Sequence, residues 1–152
     1  MQNDLIANPL RVGLVGVAYW GTRVAEAMAA TPAVQLTRCY SRTQEAREAF
    51  AAKYGCRHAS SYEELLADDS LEAVAIITPN KAHHVQILRA LEHGKHVFVD
   101  KPLTATLQDG VDVVKAVRAS GLVLGVDHEC RWEPAVRGMR RMLDEGALGR
   151  VL

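Results

Sequence analysis

Short apolar runs recur along the chain, each followed by a stretch whose apolar residues return with helical spacing. The runs are VGLVG (12–16), AVQLTRCY (33–40), CRHA (56–59), AVAIIT (73–78), KHVFV (95–99) and LVLGV (122–126). Helical periodicity covers 22–31, 43–55, 61–67, 82–94, 106–121 and 134–146, with Gly55, Gly94 and Gly121 where helices should end. Strands that are apolar on both faces need cover on both faces, and the intervening helices supply it. Right-handed crossovers then give an α/β fold, a doubly wound parallel sheet of Rossmann type, as a single domain over residues 1–152.

With 152 residues, 49% of them hydrophobic, the chain can bury one real core but has no room for a second full domain. Its 18 basic and 18 acidic side chains cancel, so no electrostatic footprint for nucleic acid or an anionic membrane is expected. No apolar run reaches transmembrane length and no charged-then-apolar leader is seen, the pattern of a cytoplasmic protein. Cys39, Cys56 and Cys130 are odd in number and widely spaced, which fits a reducing compartment and argues against a disulfide framework or a zinc site. Asp127–Cys130, DHEC, sets four metal-capable side chains in a row. Extended backbone would turn neighbours to opposite faces, so no metal site is expected there.

The stretch RVGLVGVAYWG (11–21) runs from a strand through a glycine turn into a helix. In the dinucleotide fingerprint the first glycine makes the tight turn, the second lets backbone approach pyrophosphate, and the third packs helix on strand. Gly16 and Gly21 keep the first and third tasks, while Ala18 stands at the second with one added methyl. The position after the first strand, the helix that follows, and a second strand at the right distance for ribose recognition favour a cofactor turn over one that only packs.

The segment EAVAIITPNKAHHVQILRALEHGKHVFVDKPL (72–103) closely resembles the Gfo/Idh/MocA family of oxidoreductases. Its strand ends in Thr78, Pro79, Asn80 and His83; its helix ends in Gly94, Lys95, His96 and Val97; the next strand ends in Asp100, Lys101 and Pro102. The turn containing Tyr19 and Trp20, the stretch SYEELLA and the closing RWEP…GALGRV are also similar to the family. The resemblance implies that Lys101 contacts the nicotinamide ribose and the reacting substrate, and that Pro102 follows a cis peptide. It implies that Arg131 approaches the nicotinamide end; a plain surface arginine is the alternative. Asp100 departs from the family's glutamate by one methylene. Thr78, Pro79 and Asn80 are expected along the cofactor, although Asn80 could serve only as the cap of the following helix. His83 matches the family position, and a simply packed histidine is its competing reading.

Cofactor choice turns on the end of the second strand, where the family's acidic ribose ligand falls on Ser41, next to Arg42. A serine and an arginine there suit the 2′-phosphate of NADP better than the 2′-hydroxyl of NAD. A capping box between Ser41 and Gln44 is the competing reading. The family's second, substrate-binding domain is expected to start where this sequence stops, so the resemblance implies the NAD(P)-binding part of a sugar or polyol oxidoreductase, not catalytic alone. The alternative is a stand-alone, non-catalytic dinucleotide-binding or assembly module. A face left without that second domain would need another cover, and a homodimer is expected.

Overall fold

In a computed structural model, which describes residues 7–150, six parallel strands form one sheet. They are β1 (Leu10–Val15), β2 (Val34–Tyr40), β3 (Arg57–His58), β4 (Ala73–Ile76), β5 (His96–Asp100) and β6 (Leu124–Asp127), in the order β3-β2-β1-β4-β5-β6. The helices are α1 (Tyr19–Ala29), α2 (Gln44–Tyr54), α3 (Tyr62–Leu66), α4 (Asn80–Glu92), α5 (Leu107–Ser120) and α6 (Pro134–Asp144). This is the doubly wound arrangement expected from the sequence.

The side-chain alternation of each strand builds two cores. Along β4, Val74 and Ile76 join Leu65, Ile87 and Val113 from α3, α4 and α5, whereas Ala73 and Ala75 join Ala25, Phe50 and Ala51 from α1 and α2. Each fully buried Leu, Ile or Val of this kind contributes about 1.5–3 kcal/mol. Gly55 and Gly121 end α2 and α5 in the left-handed conformation, as their positions in the sequence suggest.

Boundaries moved where packing overrides pattern. Helix α1 begins at Tyr19, three residues before the periodic stretch at Thr22, and β4 ends at Ile76 instead of Thr78. The extended reading of DHEC is corrected: the chain leaves β6 at Asp127 and Glu129–Trp132 form a 3-10 turn. Among the described residues no three His, Cys, Asp or Glu side chains converge as a metal site, and no helix is long and apolar enough to cross a membrane.

Among the described residues no helix lies over one face of β5 and β6. Phe98 and Val123 are exposed there and, with Trp20, Val24 and Met28, line an apolar groove of about 610 Å³. Helix α6 leans on the 3-10 turn and leaves Met139, Met142 and Leu143 exposed.

On the covered side, Tyr62 of α3 donates its hydroxyl to the Gln86 carbonyl of α4 at 2.7 Å and stacks on Tyr40. Burial, with help from the Glu63 charge, pushes the Tyr62 hydroxyl well above the usual tyrosine range. The folded chain therefore keeps this phenol neutral where the unfolded chain ionises it. Its contribution is complete below about pH 10 and is lost as the pH rises further. Tyr62→Phe is expected to cost about 1 kcal/mol at neutral pH and to make the alkaline decline shallower, as read by urea denaturation at about pH 7 and about pH 10.5.

Candidate functional site

Strands β1 and β4 are neighbours, yet the helices that follow them lie on opposite faces of the sheet, so the chain parts above their carboxyl ends. A cleft of about 510 Å³ opens at that point. Gly16, Val17 and Ala18 line it from the turn after β1, and Tyr40, Ser41 and Arg42 line it from the end of β2. Thr78, Pro79, Lys81, Ala82 and Gln86 close the side beyond β4.

Sterics dictate the two retained glycines. Gly16 has φ +96°, and a side chain on it would collide with the Ile77 carbonyl of the neighbouring segment. A side chain on Gly21 would collide with the Gly16 carbonyl. Ala18 is under no such constraint: at φ −73° and ψ −163° it is extended backbone open to any residue. It precedes α1 without a side-chain cap, and no acidic residue stands in the first turn of that helix. The leading N–H groups of α1 are thus left for an anionic ligand.

At the end of β2, the Arg47 guanidinium donates to the Ser41 carbonyl at 3.3 Å, and Arg42 is exposed beside it. The capping-box reading is overturned here. Thr43 is the residue that caps α2, without a side-chain bond, and Gln44 donates to Glu48 at 2.8 Å. Beyond β4, the Thr78 hydroxyl donates to Gln86 Oε1 at 2.6 Å. The cap reading of Asn80 also falls, because Pro79 occupies the cap and Asn80 opens the helix as an exposed residue.

His83 is fully buried behind this turn, with Nε2 at 2.8 Å from the Thr78 carbonyl and Nδ1 at 2.9 Å from the Pro102 carbonyl. Lys101 is exposed just past β5, and the Lys101–Pro102 peptide is cis. The Asp100 carboxylate accepts from the Lys101 backbone N–H at 2.7 Å. Asp127 stands in register with Asp100 on β6. Burial first, then the charges of Glu129 and Asp100, hold the Asp127 carboxyl above the usual carboxylate range.

The expected residues therefore separate into groups. Gly16, Ala18, Ser41, Arg42, Thr78 and Pro79 meet in the cleft, and Asp100, Lys101 and Pro102 stand at the end of β5. Tyr19 is exposed, Trp20 lines the open groove, and Arg131 sits on the 3-10 turn beside Arg137, Arg140 and Arg141. Tyr40, Lys81 and Gln86 line the cleft without having been singled out in the sequence. Gln86 lies one helical turn beyond Ala82 on the same cleft wall, and no motif in the sequence marked either residue.

Residues 10–128 match the GFO_IDH_MocA family, described as an oxidoreductase family with an NAD-binding Rossmann fold. A 1,5-anhydro-D-fructose reductase from Ensifer adhaerens is 40% identical over 113 residues, which is 74% of this chain and 34% of that protein. A dTDP-3,4-didehydro-2,6-dideoxy-alpha-D-glucose 3-reductase from Actinomadura kijaniata is 34% identical over 153 residues, 99% of this chain and 46% of that protein. The crystal structure of KijD10, a 3-ketoreductase from Actinomadura kijaniata in complex with NADP and TDP-benzene, superposes with a TM-score of 0.87 at 34% identity. The match covers 91% of this chain and 43% of that one. The chain thus spans less than half the length of these relatives.

The glycine geometry makes a sharp contrast. Gly16→Ala is expected to cost about 2–4 kcal/mol, because it sets a methyl against a backbone carbonyl at positive φ. Ala18→Gly should change stability by no more than about 0.5 kcal/mol. Urea denaturation of the two variants reads both values.

Proposed function

The chain belongs to the Gfo/Idh/MocA oxidoreductase family, and on that premise we propose that it is the dinucleotide-binding part of an enzyme transferring hydride to or from a sugar or polyol. The cleft over the carboxyl ends of β1, β2 and β4, floored by Gly16 and the uncapped start of α1, carries this reading. Gly16 and Ala18 would hold the pyrophosphate, where oriented N–H groups and the helix dipole favour negative charge, and Gly21 would let α1 begin that close by packing on the Gly16 carbonyl. Thr78, Pro79 and Asn80 would run along the cofactor, with Tyr19 and Arg131 flanking it, whereas Trp20 faces the open groove.

A bound nicotinamide supplies the hydride donor or acceptor; the residues of this chain orient the reactants. The Lys101 ammonium hydrogen-bonds the nicotinamide ribose and the substrate oxygen that gains or loses a proton. Asp100, by accepting from the Lys101 backbone, anchors that turn within one residue of β5.

NADP is preferred over NAD. No carboxylate occupies the end of β2, and Ser41 with Arg42 provides a hydroxyl and a guanidinium for a 2′-phosphate. Arg47 steadies the Ser41 carbonyl from below. The NADP held by KijD10 supports the same choice. A second domain, absent from these residues, completes the substrate pocket and supplies acid–base groups, as the greater length of the relatives suggests. The working protein is cytoplasmic, and this chain without the second domain pairs as a homodimer that covers the open groove beside Phe98 and Val123.

Calorimetric titration decides the cofactor. NADPH is expected to bind about 10- to 150-fold tighter than NADH, the worth of one charge-assisted contact. Ser41→Asp should reverse the order, and Arg42→Ala should weaken NADPH alone. At a hundredfold excess over its dissociation constant, NADPH should stabilise the chain by about 3 kcal/mol. Equal or tighter NADH binding overturns the NADP assignment, and sugar turnover by residues 1–152 alone overturns the need for a second domain. Sedimentation at tens of micromolar that shows only monomer removes the dimer.

A further inference from the structure

The ladder between β4 and β5 ends at Ile76 opposite Val99. Thr78 and Pro102 lie beyond that last pair, so sheet hydrogen bonds no longer hold the two turns together. Among the described residues, the hydrogen-bonding side chain that reaches both turns is His83, from the first part of α4. We propose that His83 is a positioning residue that ties the turn after β4 to the turn after β5, and so sets Lys101 against the cofactor cleft.

The geometry supports this role. The imidazole is fully buried, its two nitrogens stand 2.8 and 2.9 Å from the Thr78 and Pro102 carbonyls, and those carbonyls belong to separate loops. Both partners are backbone atoms, so the contact fixes the path of the chain instead of a side-chain rotamer. Both partners accept, so the ring donates to both turns only when each nitrogen carries a hydrogen; a ring with one N–H donates to one carbonyl and packs its other nitrogen against the second. Thr78 in turn donates to Gln86 at 2.6 Å, which locks the first turn of the clamp to the wall of the cleft. Pro102 is covalently next to Lys101, so movement of its carbonyl carries the lysine with it. His83 itself is closed off from solvent and lines neither the cleft nor the open groove.

The inference rests on the proposed cofactor reading, and its test separates the two. His83→Phe keeps an aromatic ring of similar size and removes both nitrogens; His83→Gln returns one donor group. In the cofactor-free chain, amide hydrogen exchange in His83→Phe should rise at least about tenfold over residues 77–80 and 101–104 while the sheet-paired β1 (Leu10–Val15) keeps its protection. His83→Gln should fall between the two, and carries the same test if the phenylalanine variant does not fold. NADPH affinity should drop at least about tenfold in His83→Phe, whereas adenosine 2′,5′-bisphosphate, which lacks the nicotinamide half, should change less than about twofold. Unchanged exchange at either turn overturns the proposal, as does loosening spread over the whole chain or an equal loss for both ligands. Wild-type chain that binds neither ligand refutes the cofactor reading, and the exchange result still decides the role of His83.

Discussion

The contact on which the rest of the site depends is the approach of two bare backbones, Gly16 against Ile77, with Gly21 folded back onto Gly16. Because no Cβ intervenes, α1 starts almost on top of β1, and the strand end beyond β4 rises directly beside it. The cleft is the space left between segments that have come that close. Its width is set by carbonyl and Cα atoms, which do not change rotamer, so it is a property of the fold more than of the side chains lining it. Polar groups then need only reach a short way inward: Ser41 from β2, Thr78 from beyond β4, Gln86 from α4.

The sheet divides its labour between its faces. On one side Val74, Ile76, Val97 and Val99 meet α3, α4 and α5 in a core of large aliphatic side chains. On the other, Ala73 and Ala75 let α1 and α2 sit close to the strands, and the surface then runs out to Phe98 and Val123, which no described residue covers. The well-packed face carries α4, and α4 carries His83 and Gln86. Rigidity is therefore greatest behind the cofactor cleft, and the unfinished surface lies where a further segment or another chain can seat.

Much of this was legible in the sequence because it is local and periodic. The alternation of apolar runs with helical stretches gave each strand and helix, and TPN, GKHV and DKP marked the strand ends that matter. What failed was chemistry read from short spacing alone. Ser41 and Gln44 have the separation of a capping box, yet Ser41 still belongs to the end of β2, where Arg47 holds its carbonyl, and Thr43 takes the cap. Trp20 follows the turn directly but projects toward the open groove, since α1 begins early, at Tyr19. His83 was visible as a motif residue, while its role depends on two carbonyls brought together by tertiary structure. No spacing rule reports that.

The strand order has a consequence for how the chain assembles during synthesis. β1 emerges first of the six strands and sits in the middle of the finished sheet, with Val12 in register with Ala73 across all of α1, β2, α2, β3 and α3. The β1–β2–β3 half can close early through its own crossovers, but one side of β1 then remains an unpaired edge until β4 arrives. Long-range parallel pairing of this kind is the slow part of folding, because the intervening loop must be ordered before any ladder bond forms. The glycine turn lies at that same seam. The switch point that creates the ligand cleft is thus also the sheet junction that spans the most intervening chain, and a nascent chain stalled before β4 would leave one edge of β1 unpaired.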